Sequence, residues 1–212
     1  MTKLLNSLCL VFIVNAVSFG QTNRSVSIGI DLFRSLPTYF NSGYTLEPSL
    51  IYTVNEQYSI DFSFGTTSIA RTHIYENIDY RNKGFYFKLG VRKALVKNLY
   101  LGASFGYSSF VESGNITFWQ GAKAGNYIHH VSQSNQLLFF EPSLSYQWNL
   151  SERFSILPQL RMDFILSEFN NSAFPVYSAP GIGWLQLFQD SDQGVNRVVV
   201  AQNVRLVYKL FK

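Results

Sequence analysis

Eight separate stretches of this sequence alternate between apolar and polar residues with a period of two. Successive side chains of an extended chain point to opposite faces, so each stretch is predicted to be a strand with one apolar face. These faces carry no carboxylate or amine, and Gln202 is their only amide. Each apolar face consists of every second residue, from the first to the last, of one of these stretches: Val26–Leu32, Leu46–Tyr52, Tyr58–Phe64, Phe85–Val91, Leu99–Tyr107, Leu138–Trp148, Phe154–Phe164 and Val198–Leu210.

The first 20 residues have a different pattern from the rest of the chain. Lys3 precedes an apolar stretch, Leu4–Val17, which is interrupted by a few polar residues. The small residues Ser18 and Gly20 then stand at the −3 and −1 positions of a cut before Gln21. This order is typical of a secretory signal peptide. We therefore expect a cleaved signal at 1–20 and a mature domain at 21–212.

The composition of the chain excludes several kinds of protein. Charged residues are only 14% of the chain, against about 25% in soluble domains. No stretch after residue 21 offers the ~18 or more apolar residues of a spanning helix. The only cysteine, Cys9, lies in the predicted signal, so neither disulfides nor thiolate zinc sites are expected. Removing Lys3 leaves 16 of 17 basic residues against 13 acidic ones, a net charge of +3 that is too small to indicate nucleic-acid binding.

A β-sandwich or a lipocalin-like barrel would also show alternation. Two observations favour a membrane barrel instead. A charge facing lipid costs about 2–4 kcal/mol at mid-membrane, which fits the uncharged apolar faces. Aromatic residues gather near strand ends, as they do at membrane interfaces: Tyr52, Tyr58, Tyr107, Trp148, Phe154 and Tyr208.

The lengths of the predicted connections give a third reason. Connections two, four and six are short, namely Thr53–Gln57, Lys93–Asn98 and Asn149–Arg153. The other four are long: Phe33–Gly43, Thr66–Lys83, Val111–Gln136 and Ser167–Asn196. Short periplasmic turns opposite long external loops are typical of outer-membrane barrels. The predicted fold class is thus all-β, an eight-stranded antiparallel up-and-down transmembrane β-barrel with both termini in the periplasm.

Three prolines, Pro48, Pro142 and Pro158, fall inside the predicted strands, where each loses a ladder hydrogen bond. We expect a local bulge at each. Two of them belong to an internal repeat, since Leu46–Tyr52 matches Phe140–Tyr146 around a shared Glu-Pro-Ser-Leu. Duplication of a four-strand unit would explain this repeat. So would convergence, since both strands must alternate apolar and polar residues.

Ten charged side chains lie on the polar faces of the predicted strands. An eight-stranded barrel has room inside only for its own side chains, and buried charges must be paired. Equal numbers of acids and bases favour a closed network that fills the lumen, and a narrow pore is an alternative. The residues are Asp31, Glu47, Asp61, Glu141 and Asp163 with Lys88, Arg92, Arg161, Arg205 and Lys209.

A second alternative is an enzyme. His130 and Ser132 are two residues apart and resemble the His-x-Ser of outer-membrane lipid A deacylases, with Glu141 as a possible orienting group. Glu141, however, has the opposite parity on an extended strand, so a bulge would be needed. His129 and His130 point to opposite faces, and no metal site is expected.

The mature chain resembles small outer-membrane β-barrel proteins of Bacteroidetes-type bacteria, the broad PorT-like and OmpA/OmpX-like class. The resemblance rests on Ser18–Gln21, on the eight strands and on the last strand, Val204–Lys212, whose aromatic Phe211 is penultimate. It implies outer-membrane lipid and the barrel-insertion machinery as partners. We expect a non-enzymatic structural, adhesion or assembly role, without a cofactor, and a protein partner at the external loops.

Overall fold

The computed structural model describes residues 24–32, 43–71, 79–119, 126–167, 177–182, 184–185 and 198–211. The predicted signal peptide lies outside these residues. Among them there is no helix long and apolar enough to cross a membrane. The described chain forms twelve strands: β1 (Ser25–Asp31), β2 (Gly43–Leu46), β3 (Pro48–Thr53), β4 (Tyr58–Arg71), β5 (Asp79–Val96), β6 (Leu99–Trp119), β7 (Asn126–Tyr146), β8 (Trp148–Asn149), β9 (Phe154–Ile165), β10 (Tyr177–Ser178), β11 (Trp184–Leu185) and β12 (Val198–Phe211).

Ten of these strands form one antiparallel sheet, so the all-β antiparallel prediction is confirmed. Eight of them follow the order β12-β1-β3-β4-β5-β6-β7-β9, and pairing of β9 with β12 closes the ring. β2 pairs with β4 and β8 pairs with β9, while β10 and β11 make a small separate hairpin. Consecutive ring strands are neighbours, as in an up-and-down meander.

One end of the ring carries the connections 54–57, 97–98 and 147–153, together with Arg24 and Phe211. We call this the short-turn end. In the tightest turn Asn98 has a φ of 67°, a left-handed conformation that asparagine adopts more readily than most residues. The opposite end is called the projecting end, because several strands continue there well beyond the others.

The predicted long loops Thr66–Lys83 and Val111–Gln136 are wrong for most of their length. β4 continues to Arg71, and β5 begins at Asp79. β6 and β7 are 21 residues each and stay paired from Leu99↔Tyr146 to Trp119↔Asn126. The outward side chains of these extensions are mostly small or polar. The apolar alternation therefore stops although the backbone ladder continues.

The predicted bulges at the prolines are also wrong. Register is the same on both sides of Pro48, which lies with Glu47 in a two-residue gap of the pairing with β4. Pro142 and Glu141 lie in a matching gap of the pairing with β9, and Pro158 pairs with Val204 in an unbroken register. A missing N–H interrupts hydrogen bonding to one neighbour, but the flanking pairs and the two-faced pattern hold the register.

The outward side chains of the ring form a continuous apolar belt. Large hydrophobic residues on this surface are 37% to 69% exposed, from Ile30 to Phe211. On β5 the belt contains Phe85 to Val91 and is bounded by exposed Lys83 and Lys93. The row is longer on β7 and β8, where it extends from Leu138 to Trp148. That length of strand is about 33 Å, or about 23 Å along the axis of a barrel whose strands tilt by roughly 45°.

The inward face is less polar than the sequence suggests. Arg and Glu side chains occupy the middle of the lumen, but an apolar cluster lies on each side of them. The cluster toward the short-turn end contains Ile51, Leu157 and Val207. The cluster toward the projecting end contains Phe110, Leu137, Phe139, Ile165, Ala179, Ile182 and Val199. The ion pairs in the middle of the lumen therefore lie between two apolar layers.

Two aromatic rings of the lumen lie against a glycine of a neighbouring strand. A Cβ on Gly65 would be 2.1 Å from Cζ of Tyr86, and a Cβ on Gly106 would be 2.1 Å from Cζ of Phe139. Both glycines are register partners of the aromatic residue. The absence of a side chain lets the ring lie across the strand, which fills the lumen at that level.

We predict that Gly106→Ala destabilises the ring, because the new methyl group must displace the fully buried Phe139. Forcing extra volume into a packed interior costs about 1–3 kcal/mol. The guanidinium midpoint of unfolding in an uncharged maltoside detergent measures the change. Ser109→Ala on the same strand is the control. Equal midpoints for the two variants would contradict the packing described.

Candidate functional site

A chain of ion pairs runs through the middle of the lumen. It joins eight of the ten charged residues that the sequence places inside. Within it the side chains are at most 12% exposed, and four acids face four bases, so the chain is neutral. The order of contact is Arg92, Asp61, Arg205, Glu47, Lys88, Glu141, Arg161 and Asp163.

Lys88 is the central link of this chain. Its Nζ lies 2.9 Å from Oε1 of Glu47 and 3.3 Å from Oε2 of Glu141. The two glutamates belong to the repeated Glu-Pro-Ser-Leu segments, and their strands are four positions apart in the ring of eight. Lys88 therefore bridges opposite walls of the lumen. The Tyr86 hydroxyl donates a 2.5 Å hydrogen bond to Glu47 Oε2.

Arg161 links the charged chain to the connection between β9 and β12. Its Nη1 donates to Glu141 and also, at 3.1 Å, to the carbonyl oxygen of Gly181. Gly181 has a φ of 86° and lies against the ring of Tyr86. Residues 179–182 are all buried, so this part of the predicted external loop lies inside the ring. The Ala-Pro-Gly-Ile stretch does not stand out in the sequence, because the same connection contains other apolar residues such as Phe174 and Trp184.

The other two predicted lumen charges lie outside this chain of ion pairs. Asp31 is fully buried at the end of β1, where its register partner is Arg205. Lys209 is half-buried near the short-turn end and lines a cavity there. The sequence therefore predicts the inward direction of all ten side chains, but not which of them meet.

A buried carboxylate near the projecting end escapes the sequence analysis. Glu112 is fully buried, and its two oxygens accept hydrogen bonds from the Tyr80 hydroxyl at 2.6 Å and from Asn135 Nδ2 at 2.8 Å. Asn82 in turn donates to the Tyr80 oxygen at 3.0 Å. All four residues lie in or beside stretches that the sequence assigns to loops. The inward parity of each strand, continued past its predicted end, is the signal that could have located them.

Two cavities lined by described residues lie in the lumen. A cavity of about 20 Å³ lies among the central charges and touches Asp61, Lys88, Arg92, Glu141 and Arg205. A larger cavity of about 280 Å³ opens at the short-turn end. Arg92 lines both cavities, and beyond the central charges the apolar cluster around Phe139 follows. Side chains and residues 179–182 fill the lumen between the two ends.

The three residues of the enzyme alternative do not come together. His130 and Ser132 are exposed on the outward face of β7 beyond the belt, and His130 Nδ1 lies 3.0 Å from Asn115 Oδ1. Glu141 is buried in the lumen, where Lys88 and Arg161 neutralise it. Among the described residues, no group of three or more His, Cys, Asp or Glu is placed to hold a metal ion.

We predict that Lys88→Met destabilises the protein by about 3–5 kcal/mol, because it leaves two buried carboxylates without their shared cation. The guanidinium midpoint in maltoside detergent measures the change. Lys88→Met leaves four acids against three bases in the chain of ion pairs. Adding Glu141→Gln makes the numbers equal again and should restore part of the loss.

Lys97→Met is the control for Lys88→Met, since Lys97 is an exposed residue of the β5–β6 turn. A surface change of this kind alters stability by about 0.5 kcal/mol or less. If Lys88→Met and Lys97→Met unfold at the same midpoint, the ion-pair chain is not needed for stability.

No family model matches the chain, and no curated protein matches it. Among solved structures the chain is similar to the N-terminal β-barrel domain of Pseudomonas aeruginosa OprF, with 12% identity over 90% of this chain and 100% of that one, at a TM-score of 0.41. It is similar to Ail, the attachment invasion locus protein of Yersinia pestis, with 12% identity, coverages of 88% and 97%, and a TM-score of 0.43. For CarO of Acinetobacter baumannii the values are 9% identity, coverages of 89% and 98%, and a TM-score of 0.45.

Proposed function

We propose that this protein is an outer-membrane β-barrel that docks a protein partner through the sheet at its projecting end. The observation that supports membrane insertion is the belt of exposed apolar side chains around a closed ring. Its height of about 23 Å is close to the roughly 25 Å apolar band of such barrels. A soluble protein rarely exposes so large a continuous apolar surface.

The belt and the two ends imply an orientation. The short turns and both termini face the periplasm, and the projecting end faces outward, since short periplasmic turns are the rule for these barrels. Export would depend on the predicted signal peptide at 1–20. The lumen carries a neutral ion-pair chain and inserted residues 179–182, which supports a closed barrel over a narrow pore.

We predict that Leu89→Arg costs about 2–4 kcal/mol in phospholipid vesicles, because Leu89 lies in the middle of the belt on β5. Gln136→Arg, on the outward face of β7 just beyond the belt, should cost about 0–1 kcal/mol. Urea unfolding of vesicle-inserted protein measures both. A soluble barrel would tolerate the two arginines equally, so equal midpoints would overturn membrane insertion.

The docking role is supported by the length of the projecting sheet. Among the described residues the pairing of β7 with β9 ends at Phe139↔Ile165, whereas β7 continues for 13 further residues, to Asn126, in ladder with β6. That is about 43 Å of strand. The outward row on this part of β7 is exposed and almost without charge: Ile128, His130, Ser132, Ser134 and Gln136.

A long strand of this kind suits an extended segment of another protein. Strands that add to a sheet edge gain main-chain hydrogen bonds, and side chains of alternate parity provide selectivity. Edge strands that avoid such pairing usually carry charge or proline. Residues 126–137 contain no Lys, Arg, Asp, Glu or Pro.

Site-specific photo-crosslinking in intact cells tests the docking role. A photoreactive residue at Ser132 should yield an adduct with a second protein, and one at Val91 in the belt should not. A shortened hairpin in which Asn-Gly replaces residues 114–131 should abolish the adduct from Ser132 and leave the ring intact. Ser113 and Ser132 are register partners, so a two-residue turn can join them.

Each result of this experiment decides the proposal. An adduct at Ser132 that depends on the hairpin supports it, whereas no adduct, or one that survives the shortening, contradicts it. An adduct of twice the chain mass would show self-association in place of a different partner. Heat-dependent mobility on gels confirms that the shortened protein still folds.

A further inference from the structure

The cavity at the short-turn end has the form of a small binding site. At about 280 Å³ it is close to the lower end of ligand-site volumes, which begin at roughly 300 Å³. Its inner end is apolar, formed by Ile51, Leu157 and Val207. Serine hydroxyls line its sides, among them Ser27 and Ser59. The cavity therefore offers hydrogen-bonding walls above an apolar floor.

Arg92 is the most deeply placed cation of this cavity. It is only 6% exposed, and its buried Nε has no hydrogen-bond partner among the described residues. The nearest carboxylate contact of Nε is 3.8 Å to Oδ2 of Asp61, and that oxygen lies only 2.5 Å from Arg205. The ring of Tyr100 lies 5.6 Å from the guanidinium carbon. A buried guanidinium so weakly satisfied is costly unless something else binds it.

Lys209 is the second cation of the cavity. Its strand, β12, is four positions from β5 in the ring of eight, so Lys209 and Arg92 line the lumen from opposite walls. Lys209 forms no ion pair with the described residues, and the eight-residue chain of ion pairs is already neutral without it. The other charged lining residues, Glu56, Glu152 and Arg153, are exposed at the turns. The cavity lining thus holds three bases against two acids.

We propose that the short-turn cavity binds the oxyanion group, carboxylate or phosphate, of a small solute, with Arg92 and Lys209 as its cationic contacts. The guanidinium donates in a planar fork that suits either group. Serine hydroxyls can donate to the remaining oxygens, and the apolar floor can contact the carbon skeleton of the solute. This site is independent of the docking surface, which lies at the other end of the ring.

Isothermal titration of the full-length barrel tests the site, in uncharged maltoside detergent and Tris-chloride buffer free of phosphate and carboxylate. The two probes are sodium phosphate and trialanine, which present the two oxyanions, and trialanine amide controls for the carboxylate. We expect saturable binding of at least one oxyanion and none of the amide. Binding of phosphate alone would assign a phosphorylated solute, and binding of trialanine alone would assign a peptide carboxyl terminus.

Two charge-removing variants and one control complete the test. Arg92→Gln and Lys209→Gln should each weaken binding about tenfold, as expected for loss of one charge-assisted contact. Lys97→Gln makes the same charge change at the same end, outside the cavity, and should bind like the original protein. Lys209 is half-buried at the rim, so its variant serves even if Arg92→Gln does not fold.

Three results would overturn the proposal. These are no saturable binding of either oxyanion, equal binding of trialanine and its amide, and unchanged affinity in the Lys209→Gln variant. Heat-dependent gel mobility checks that each variant is folded before titration. Shortening of the β6–β7 hairpin should leave the titration unchanged, which separates this site from the docking role.

Discussion

The contact of Lys88 with two glutamates is the interaction on which the interior of this protein depends. A ring of eight strands encloses a space too narrow for bulk water and too polar to collapse, so its charges must neutralise one another. Lys88 connects opposite walls, and Arg161 extends the same chain to the segment at 179–182. The apolar clusters on either side exclude solvent from these pairs. The same set of side chains therefore both fills the lumen and neutralises its charges.

Much of this architecture follows from the sequence alone. The period-two alternation locates the eight strands of the ring, and its charge-free face corresponds to the exposed belt. The alternation also predicts the inward direction of all ten charged side chains, because odd and even residues of a strand point to opposite faces. Glu47 and Glu141 could even be related to each other through the repeat. The alternation gives no position along the barrel axis, however, so the contact of Lys88 with both glutamates and the location of Lys209 near the short-turn end could not be derived from it.

The sequence is least informative where apolar alternation ends. β6 and β7 continue far beyond the belt because backbone pairing does not require apolar side chains, so the projecting sheet looks like a loop in the sequence. The insertion of residues 179–182 depends on contacts with Arg161 and Tyr86, which are distant along the chain. The bulges predicted at the three prolines are wrong for a related reason. The loss of one N–H is a local effect, whereas register is held by the many pairs on both sides.

The repeat around Glu47 and Glu141 has a consequence for how the chain can be divided. Strands β1 to β5 contribute Glu47, Asp61, Lys88 and Arg92, and strands β6 to β12 contribute Glu141, Arg161, Asp163 and Arg205. The four ion-pair residues from each half sum to zero charge, yet Lys88–Glu141, Arg205–Glu47 and Arg205–Asp61 all cross between the halves. A fragment of either half would lack these contacts. Charged residues of each half are therefore neutralised in part by residues of the other half, so neither half could form this interior alone.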